Sequence, residues 1–281
     1  MALRVLVTDG MDAGAMEQLR KDGYEVVEQF YEPDQLGTAL REFDVVIIRA
    51  GVGVDNIAVK YAEEHGIQVR NTPRASSNAV AELALALLFS CARNISIAGH
   101  TMRENKWEKK AYSKGFELAG KTMGVIGYGR IGQMVGAKGQ ALGMDVLSVV
   151  HRNKPEGCEC ETMHFVSMDE LLSRSDIIVL CAPGGDRPLV DAESLAKMKD
   201  GVVIINVSRG SNVDEAALLE ALNSGKVKAA GLDVWMSEKD PNWALAQHPA
   251  VSCTPHIGAG TKEAQKRIGA ELVDIVEHFG K

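Results

Sequence analysis

The segment between one strand-like run and the helical run after it constrains the fold of this chain most. Residues 122–126 are apolar and β-type, and Gly127, Gly129 and Gly132 follow them with the spacing G-x-G-x-x-G. In this context the first glycine permits a tight turn, the second lets the backbone approach a pyrophosphate, and the third lets helix and strand pack closely. The pattern predicts a dinucleotide site at a helix N-terminus. A glycine-rich turn without ligand is the alternative.

Strand-like and helical runs alternate along the rest of the chain, which is typical of parallel α/β sheets. The predicted strands are 3–8, 25–30, 44–48, 67–71, 122–126, 145–150, 177–181, 202–207, 229–234 and 251–254. The predicted helices are 12–21, 34–42, 55–64, 79–92, 130–142, 168–174, 191–199, 213–223 and 261–279. We therefore expect two α/β lobes, with the break between them near residues 93–110.

Composition and charge limit the partners that this protein could have. The chain has 281 residues, is 46% hydrophobic and 25% charged, and carries a net charge of −7 without a basic block, so we expect no nucleic-acid partner. The longest apolar run, 83–92, is too short to span a bilayer, so no membrane is expected. Cys158 and Cys160 lack a second pair of ligands at zinc spacing. We expect no metal, and a cytoplasmic location.

The helix predicted at 79–92 is apolar nearly all round. Such a helix is buried on all sides, either in a core or in a subunit interface. The expected assembly is a two-fold homodimer in which this helix packs against its copy.

The end of the strand predicted at 145–150 bears on the choice of cofactor. An acidic residue there would hold the ribose 2′-hydroxyl of NAD. The chain instead has His151, Arg152 and Lys154, which could meet the 2′-phosphate of NADP. A solvated Arg152 that stacks on the adenine ring is the alternative, so both NAD and NADP stay open.

Further motifs, in one order along nearly the whole chain, resemble the D-2-hydroxyacid dehydrogenase family. They are AGVGVDN at 50–56, NTP at 71–73, VAELA at 80–84, KWE at 106–108, ELAGKT at 117–122, NVSRG at 206–210, GLDV at 231–234, TPHIG at 254–258 and TKEAQ at 261–265. The linker and tail motifs fit the phosphoglycerate branch. The resemblance implies two Rossmann-like lobes. A dinucleotide-binding domain at 94–259 would be inserted in a flavodoxin-like substrate-binding domain at 1–93, which residues 260–281 complete.

Three residues are assigned to catalysis, because oxidising an alcohol moves a hydride to a nicotinamide and a proton to a base. A histidine changes charge near neutral pH, so His256 suits the base. Glu238 occupies the family's position for the carboxylate that orients the imidazole, although two residues separate it from the proline that usually follows. Arg209 follows a strand end, where its guanidinium could grip a carboxylate and polarise the C2 oxygen.

The resemblance also implies the binding residues. The cofactor set is Gly127, Gly129, Arg130, Ile131, Gly132, His151, Arg152, Pro183, Ser208, Asp233 and Gly258. Asp233 would hold the nicotinamide carboxamide, and the capping of a loop is its alternative. The substrate set is Arg49, Gly51, Val52, Gly53 and Arg74, in which the glycine loop would bind a carboxylate and the arginines a phosphate.

The chain departs from the family after Arg49, where members usually have about one more helix and strand. Either this lobe is truly shorter or a stretch is absent from the sequence, and substrate binding is the property most affected. The expected reaction is oxidation of 3-phospho-D-glycerate to 3-phosphohydroxypyruvate in L-serine biosynthesis. The alternatives are a glyoxylate/hydroxypyruvate reductase, which the basic residues around Arg152 favour, and a non-catalytic NAD(P)-binding protein.

Overall fold

The computed structural model describes residues 3–7, 12–29, 31, 35, 42–43, 45–47, 68–70, 72, 74–149 and 160–278. In chain order the elements are β1 (Arg4–Val7), α1 (Ala13–Lys21), β2 (Glu25–Glu28), β3 (Val45–Ile47), β4 (Gln68–Arg70), α2 (Ser77–Arg93), α3 (Ile95–Arg103), α4 (Lys109–Tyr112), β5 (Thr122–Ile126), α5 (Arg130–Ala141), β6 (Asp145–Ser148), β7 (Met163–Phe165), α6 (Met168–Arg174), β8 (Ile177–Leu180), α7 (Ala192–Lys197), β9 (Val202–Asn206), a 3₁₀ turn (Gly210–Asn212), α8 (Glu215–Ser224), β10 (Val227–Leu232), α9 (Trp243–Ala246), β11 (Val251–Cys253) and α10 (Lys262–Glu277).

The chain divides into two units, the first formed by residues 1–79 and 259–281 and the second by residues 80–258. The second boundary lies within one residue of the predicted one. The first lies ahead of most of α2 rather than at residue 93. The reason is that α2, from Val80 to Ala92, packs in the core of the second unit.

The first unit contains a parallel sheet in the order β2-β1-β3-β4. β3 pairs directly with β4, Val45 opposite Gln68 and Ile47 opposite Arg70. The αβ step that the sequence lacks after Arg49 therefore leaves no open position between the two strands that flank it. The helices predicted at 34–42 and 55–64 lie largely outside the described residues.

The core of the first unit joins the two ends of the chain. Leu19 of α1 is buried together with Ile268 and Leu272 of α10. The two helices approach so closely that a Cβ on Gly269 would lie 2.7 Å from the Cβ of Ala15. Helix α10 thus belongs to the first unit, as predicted for residues 260–281.

The second unit contains a seven-stranded parallel sheet in the order β11-β10-β9-β8-β5-β6-β7. The order reverses at β5, as in doubly wound dinucleotide-binding folds. Strands β8 and β9 are buried at every residue because helices cover both faces of the sheet. All the predicted strands are present, and β7, a short edge strand, is an additional one in the described part of the chain.

Helix caps follow the predicted residues. Asp214 accepts hydrogen bonds from the backbone N–H groups of Ala216 and Ala217 at the start of α8. Gly225 ends the same helix with a φ of 78°, in the left-handed region that glycine adopts without steric cost.

Helix α2 is buried on a broad face and exposed along one stripe in the single chain, so the prediction that this stripe is buried in a subunit interface stays untested. Glu82, Ala86 and Phe89 form that stripe at helical spacing, and Phe89 is 39% exposed. No single helix among the described residues is long and apolar enough to cross a membrane. Helices α2 and α3 reach that length and composition only together, with a bend of 69° between them.

Candidate active site

The carboxyl ends of the seven strands in the second unit share one edge of the sheet, because every pair is parallel. Ligands of open α/β sheets bind at this edge, near the strand where the order reverses. Most of the predicted cofactor residues of this unit and all three catalytic residues follow these strand ends: Gly127 after β5, Pro183 after β8, Ser208 and Arg209 after β9, Asp233 and Glu238 after β10, and His256 and Gly258 after β11.

The glycine turn after β5 has two sterically required glycines and one that faces open space. A Cβ on Gly127, whose φ is 97°, would lie 2.5 Å from the backbone N of Ala182. A Cβ on Gly132 would lie 2.0 Å from the carbonyl oxygen of Gly127. At Gly129, by contrast, no described atom lies within 4 Å of the Cβ position. Helix α5 starts next to Gly129 without a side-chain cap from any described residue. The turn thus offers an uncapped helix N-terminus beside free space, which fits a pyrophosphate.

The remaining predicted binding residues fall into two groups. Arg130 is exposed and Ile131 half-buried at the start of α5, and Pro183 is exposed in the loop after β8. Arg74 is exposed in the first unit, just before α2. The others lie outside the described residues: Arg49, Gly51, Val52, Gly53, His151 and Arg152.

His256 and Glu238 are in contact. The imidazole Nδ1 is hydrogen-bonded to Oε1 of Glu238, and the two side chains are 27% and 47% exposed. His256 has a φ of 53°, a conformation that a residue other than glycine adopts at a cost. Its backbone N–H donates to the carbonyl of Asp233 at 2.8 Å. The carboxylate occupies Nδ1 and orients the ring, so Nε2 is the nitrogen available to exchange a proton with a substrate.

Asp233 is buried and holds the loop that carries His256. Its Oδ1 accepts from the hydroxyl of Thr254 at 2.6 Å and from the N–H of Ile257 at 2.8 Å. Its Oδ2 accepts from the N–H of Gly258 at 2.9 Å. These bonds match the loop-capping alternative. A carboxylate offers about four acceptor sites, so a contact with a carboxamide remains compatible with them.

Arg209 is fixed through its backbone and its neighbours. Nδ2 of Asn206 donates to the carbonyl of Arg209 at 2.8 Å, and Nη1 of Arg209 donates to the carbonyl of Ser208 at 2.7 Å. A Cβ on Gly210 would lie 2.0 Å from the carbonyl oxygen of Trp235, so the turn after Arg209 packs directly against the segment after β10. Asn206 and Trp235 were not predicted as site residues. The signal for Asn206 was a polar residue that ends an otherwise apolar strand.

A cavity of about 260 Å³ borders the His256–Glu238 pair. Aromatic, proline and small side chains dominate its wall: Trp235, Glu238, Pro241, Trp243, Ala246, Cys253, Thr254, Pro255 and His256. Burial raises the pKa of the Cys253 thiol in this wall. The described residues contain no group of three or more histidine, cysteine, aspartate or glutamate side chains placed to hold a metal ion.

Comparison with known proteins gives consistent results for sequence and fold. Residues 85–258 match the family model described as D-isomer specific 2-hydroxyacid dehydrogenase, NAD binding domain. A hydroxypyruvate reductase of Thermotoga maritima is 43% identical over 300 residues, which cover 97% of each chain. A D-3-phosphoglycerate dehydrogenase of Archaeoglobus fulgidus is 36% identical over 99% of this chain but only 58% of its own length. The chain thus spans little more than half of that longer relative.

Solved structures with the same fold cover nearly the whole chain. A glyoxylate reductase from Paecilomyes thermophila has a TM-score of 0.87 at 29% identity and covers 98% of this chain and 94% of its own. A D-lactate dehydrogenase from Aquifex aeolicus, in complex with NAD and lactic acid, has a TM-score of 0.85 at 28% identity with the same coverage. An acyclic imino acid reductase in complex with NADPH and D-Arg has a TM-score of 0.84 at 26% identity and covers 99% and 97%.

Proposed function

Because the chain belongs to the D-isomer specific 2-hydroxyacid dehydrogenase family and has its NAD-binding domain at residues 85–258, we propose that it transfers a hydride between a nicotinamide cofactor and a D-2-hydroxy acid. The observation that carries this proposal is the His256–Glu238 hydrogen bond, in a loop that follows the same sheet edge as the glycine turn. A proton-transfer pair at the ligand-binding edge of the sheet is what alcohol oxidation requires.

In the proposed reaction each side chain has a separate task. The glycine turn and the start of α5 hold the pyrophosphate, and the bound nicotinamide supplies the hydride acceptor. His256 takes the hydroxyl proton of the substrate at Nε2 while Glu238 holds Nδ1. Arg209 would bind the substrate carboxylate and polarise the oxygen on C2, and the carbon C2 is the atom that gives up the hydride. The substrate-binding roles of Arg49, Gly51, Val52, Gly53 and Arg74 stay predictions.

Two substrates are supported by different relatives. Reduction of hydroxypyruvate is favoured by the Thermotoga maritima protein, which is the more similar and matches the chain over its whole length. Oxidation of 3-phospho-D-glycerate is favoured by the linker and tail motifs, but the relatives of that name are longer. The alignment with the reductase has 300 positions against the 281 residues of this chain, so that relative carries residues this chain lacks. We therefore place hydroxypyruvate first and phosphoglycerate second.

One spectrophotometric experiment at 340 nm tests these assignments. It crosses NADH and NADPH with hydroxypyruvate and glyoxylate, and NAD and NADP with 3-phospho-D-glycerate, D-glycerate and D-lactate. Turnover of unphosphorylated acids alone supports the reductase, and turnover of phosphoglycerate supports the dehydrogenase of serine synthesis. Cofactor binding without any turnover would overturn the enzymatic proposal in favour of a non-catalytic NAD(P)-binding protein.

We also propose that the chain forms a homodimer that covers the exposed stripe of α2. Phe89 in that stripe is apolar and 39% exposed, and Ile95 at the start of α3 is 56% exposed. Light scattering at micromolar concentration should give twice the mass of 30.2 kDa. A stable monomer would contradict the proposal. The cytoplasmic location and the role in serine synthesis stay predictions.

A further inference from the structure

A chain of buried polar side chains lies behind the carboxyl ends of β8 and β9. Asn206, Ser208 and Asn212 are 1%, 8% and 0% exposed. The hydroxyl of Ser208 donates to Oδ1 of Asn206 at 2.8 Å and accepts from Nδ2 of Asn212 at 2.9 Å. Asn206 in turn donates to the carbonyl of Arg209. The chain of hydrogen bonds therefore runs from Asn212 to the backbone of the catalytic arginine.

Asn212 also holds both ends of the loop after β8. Its Nδ2 donates to the carbonyl of Ala182 at 3.0 Å. The backbone carbonyl of Asn212 accepts from the N–H groups of Leu189 and Val190 at 2.8 and 3.0 Å. Residues 183–187 between these two anchors are exposed. Since this loop contains Pro183, a predicted cofactor contact, the side chain of Asn212 fixes one end of a loop proposed to touch the cofactor, and its backbone fixes the other end.

The amide of Asn212 is costly for stability. Its Oδ1 is buried and finds no hydrogen-bond partner among the described residues. The orientation cannot be reversed, because the carbonyl of Ala182 accepts only and so requires Nδ2. An apolar side chain of similar size would avoid the unpaired acceptor. The amide is therefore better explained by the geometry that it imposes than by the stability that it adds.

We propose that Asn212 is a positioning residue, which fixes the position of loop 183–187 relative to Arg209 and so aligns the cofactor with the substrate. This inference rests on the proposed function and deepens it. The residue touches neither cofactor nor substrate in the proposal. It acts through Ala182 on one side and through Ser208, Asn206 and Arg209 on the other.

The test compares Asn212→Leu with a matched control, Ser175→Ala. Ser175 is also fully buried and donates one hydrogen bond, to the carbonyl of Leu171, but it precedes β8 at the opposite edge of the sheet. The first measurement is the Kd for NADH or NADPH by calorimetry, which needs no substrate. We expect Asn212→Leu to raise that Kd about tenfold, the effect of two lost neutral hydrogen bonds, and Ser175→Ala to leave it unchanged.

The second measurement is hydrogen–deuterium exchange of the cofactor-free protein. Exchange in residues 183–187 should rise in Asn212→Leu and stay at the wild-type level in Ser175→Ala. Leu189 and Val190, whose N–H groups bond the backbone carbonyl of residue 212, should keep their protection in both variants. Asn212→Ser, whose hydroxyl is too short to reach Ala182, serves if Asn212→Leu does not fold, and it should behave in the same way. Unchanged exchange and unchanged Kd in the folded variant would overturn the inference. Because neither readout depends on turnover, failure of the assigned substrate would leave this result interpretable.

Discussion

Two loops at the same sheet edge carry two of the three proposed catalytic residues, His256 and Arg209, and they are held in different ways. The loop at 254–258 carries His256 and is bound to one buried carboxylate, Asp233, by three hydrogen bonds. The segment at 206–212 carries Arg209 and is bound by neutral amides and a hydroxyl. Hydrogen bonds to a charged group contribute about twice as much as neutral ones. The difference shows that the strained backbone of His256 receives the stronger anchor.

The largest effect is expected from His256→Ala, which removes the proposed base that loop 254–258 carries. Turnover should fall about 10³-fold, the range for loss of a general base, while cofactor affinity stays within a factor of about two. His164→Ala is the control, since His164 is an exposed histidine of the same unit whose ring is hydrogen-bonded to the nearby carbonyl of Glu161. Steady-state kinetics of the two variants measure the change in turnover. Equal turnover in both would remove His256 from the mechanism.

The second largest effect is expected from changing Asp233, the charged anchor of loop 254–258. Asp233→Asn keeps the volume but replaces one acceptor by a donor that faces an N–H group. We expect the free energy of unfolding to fall by about 2 kcal/mol, as for hydrogen bonds to a charged group. Turnover should fall about 10²-fold, because His256 is displaced. Denaturant unfolding and kinetics measure the two effects. If the free energy of unfolding falls no more in Asp233→Asn than in Asn212→Leu, the charged anchor is not the stronger of the two.

Glu238→Gln acts on the imidazole and spares the loop. A glutamine can still bond Nδ1, so stability should change by less than about 0.5 kcal/mol at this half-exposed position. Turnover should fall about tenfold, because the amide does not stabilise a protonated ring. Steady-state kinetics at a fixed pH, beside the wild-type protein, measure the change. Wild-type turnover would mean that orientation of His256 comes from its backbone alone.

The smallest effect is expected at two thiols, Cys181 just after β8 and Cys253 at the end of β11. Burial raises the pKa of Cys181 to about 12, and partial burial raises that of the solvent-exposed Cys253, so both thiols are slow to alkylate at pH 8. Asn212→Leu should accelerate alkylation of Cys181 and Asp233→Asn that of Cys253, each by a few-fold. Backbone and side-chain hydrogen bonds at Thr162 lower the pKa of the exposed Cys160, which is the internal standard. Mass spectrometry after iodoacetamide treatment measures all three. Acceleration of the same thiol in both variants would mean that the anchors are not independent.

Local sequence patterns predicted the strands well because burial on both faces leaves a continuous apolar run, as in β8 and β9. They missed β7, three residues whose pairing depends on its neighbour β6 rather than on its own composition. The sequence also left open which side of α2 lies in a core and which in a subunit interface. Ala86 and Phe89 are apolar, and only the packing partners decide which apolar side of a helix stays exposed.

The sequence predicted which residues follow the strand ends at this edge of the sheet, but it predicted the contacts between them only in part, and their roles stay predictions. The glycine spacing identified the turn after β5, since steric demands at Gly127 and Gly132 are local to that turn. The bonds of Asp233 to residues 254–258 join positions more than 20 apart in sequence and depend on β10 lying beside β11. Asn212 was missed altogether, because its side-chain partner Ala182 lies on another loop, 30 positions away in sequence.

The packing of α10 against α1 has a consequence for how the protein is made. Val5, Val7 and Leu19 have their apolar partners Ile268, Leu272 and Val276 more than 240 positions later in the chain. During synthesis from the N-terminus, the second unit can emerge and close before those partners leave the ribosome. The N-terminal part of the first unit therefore completes its core later than the second unit does, and the nascent chain exposes an apolar surface that a chaperone could bind during that interval.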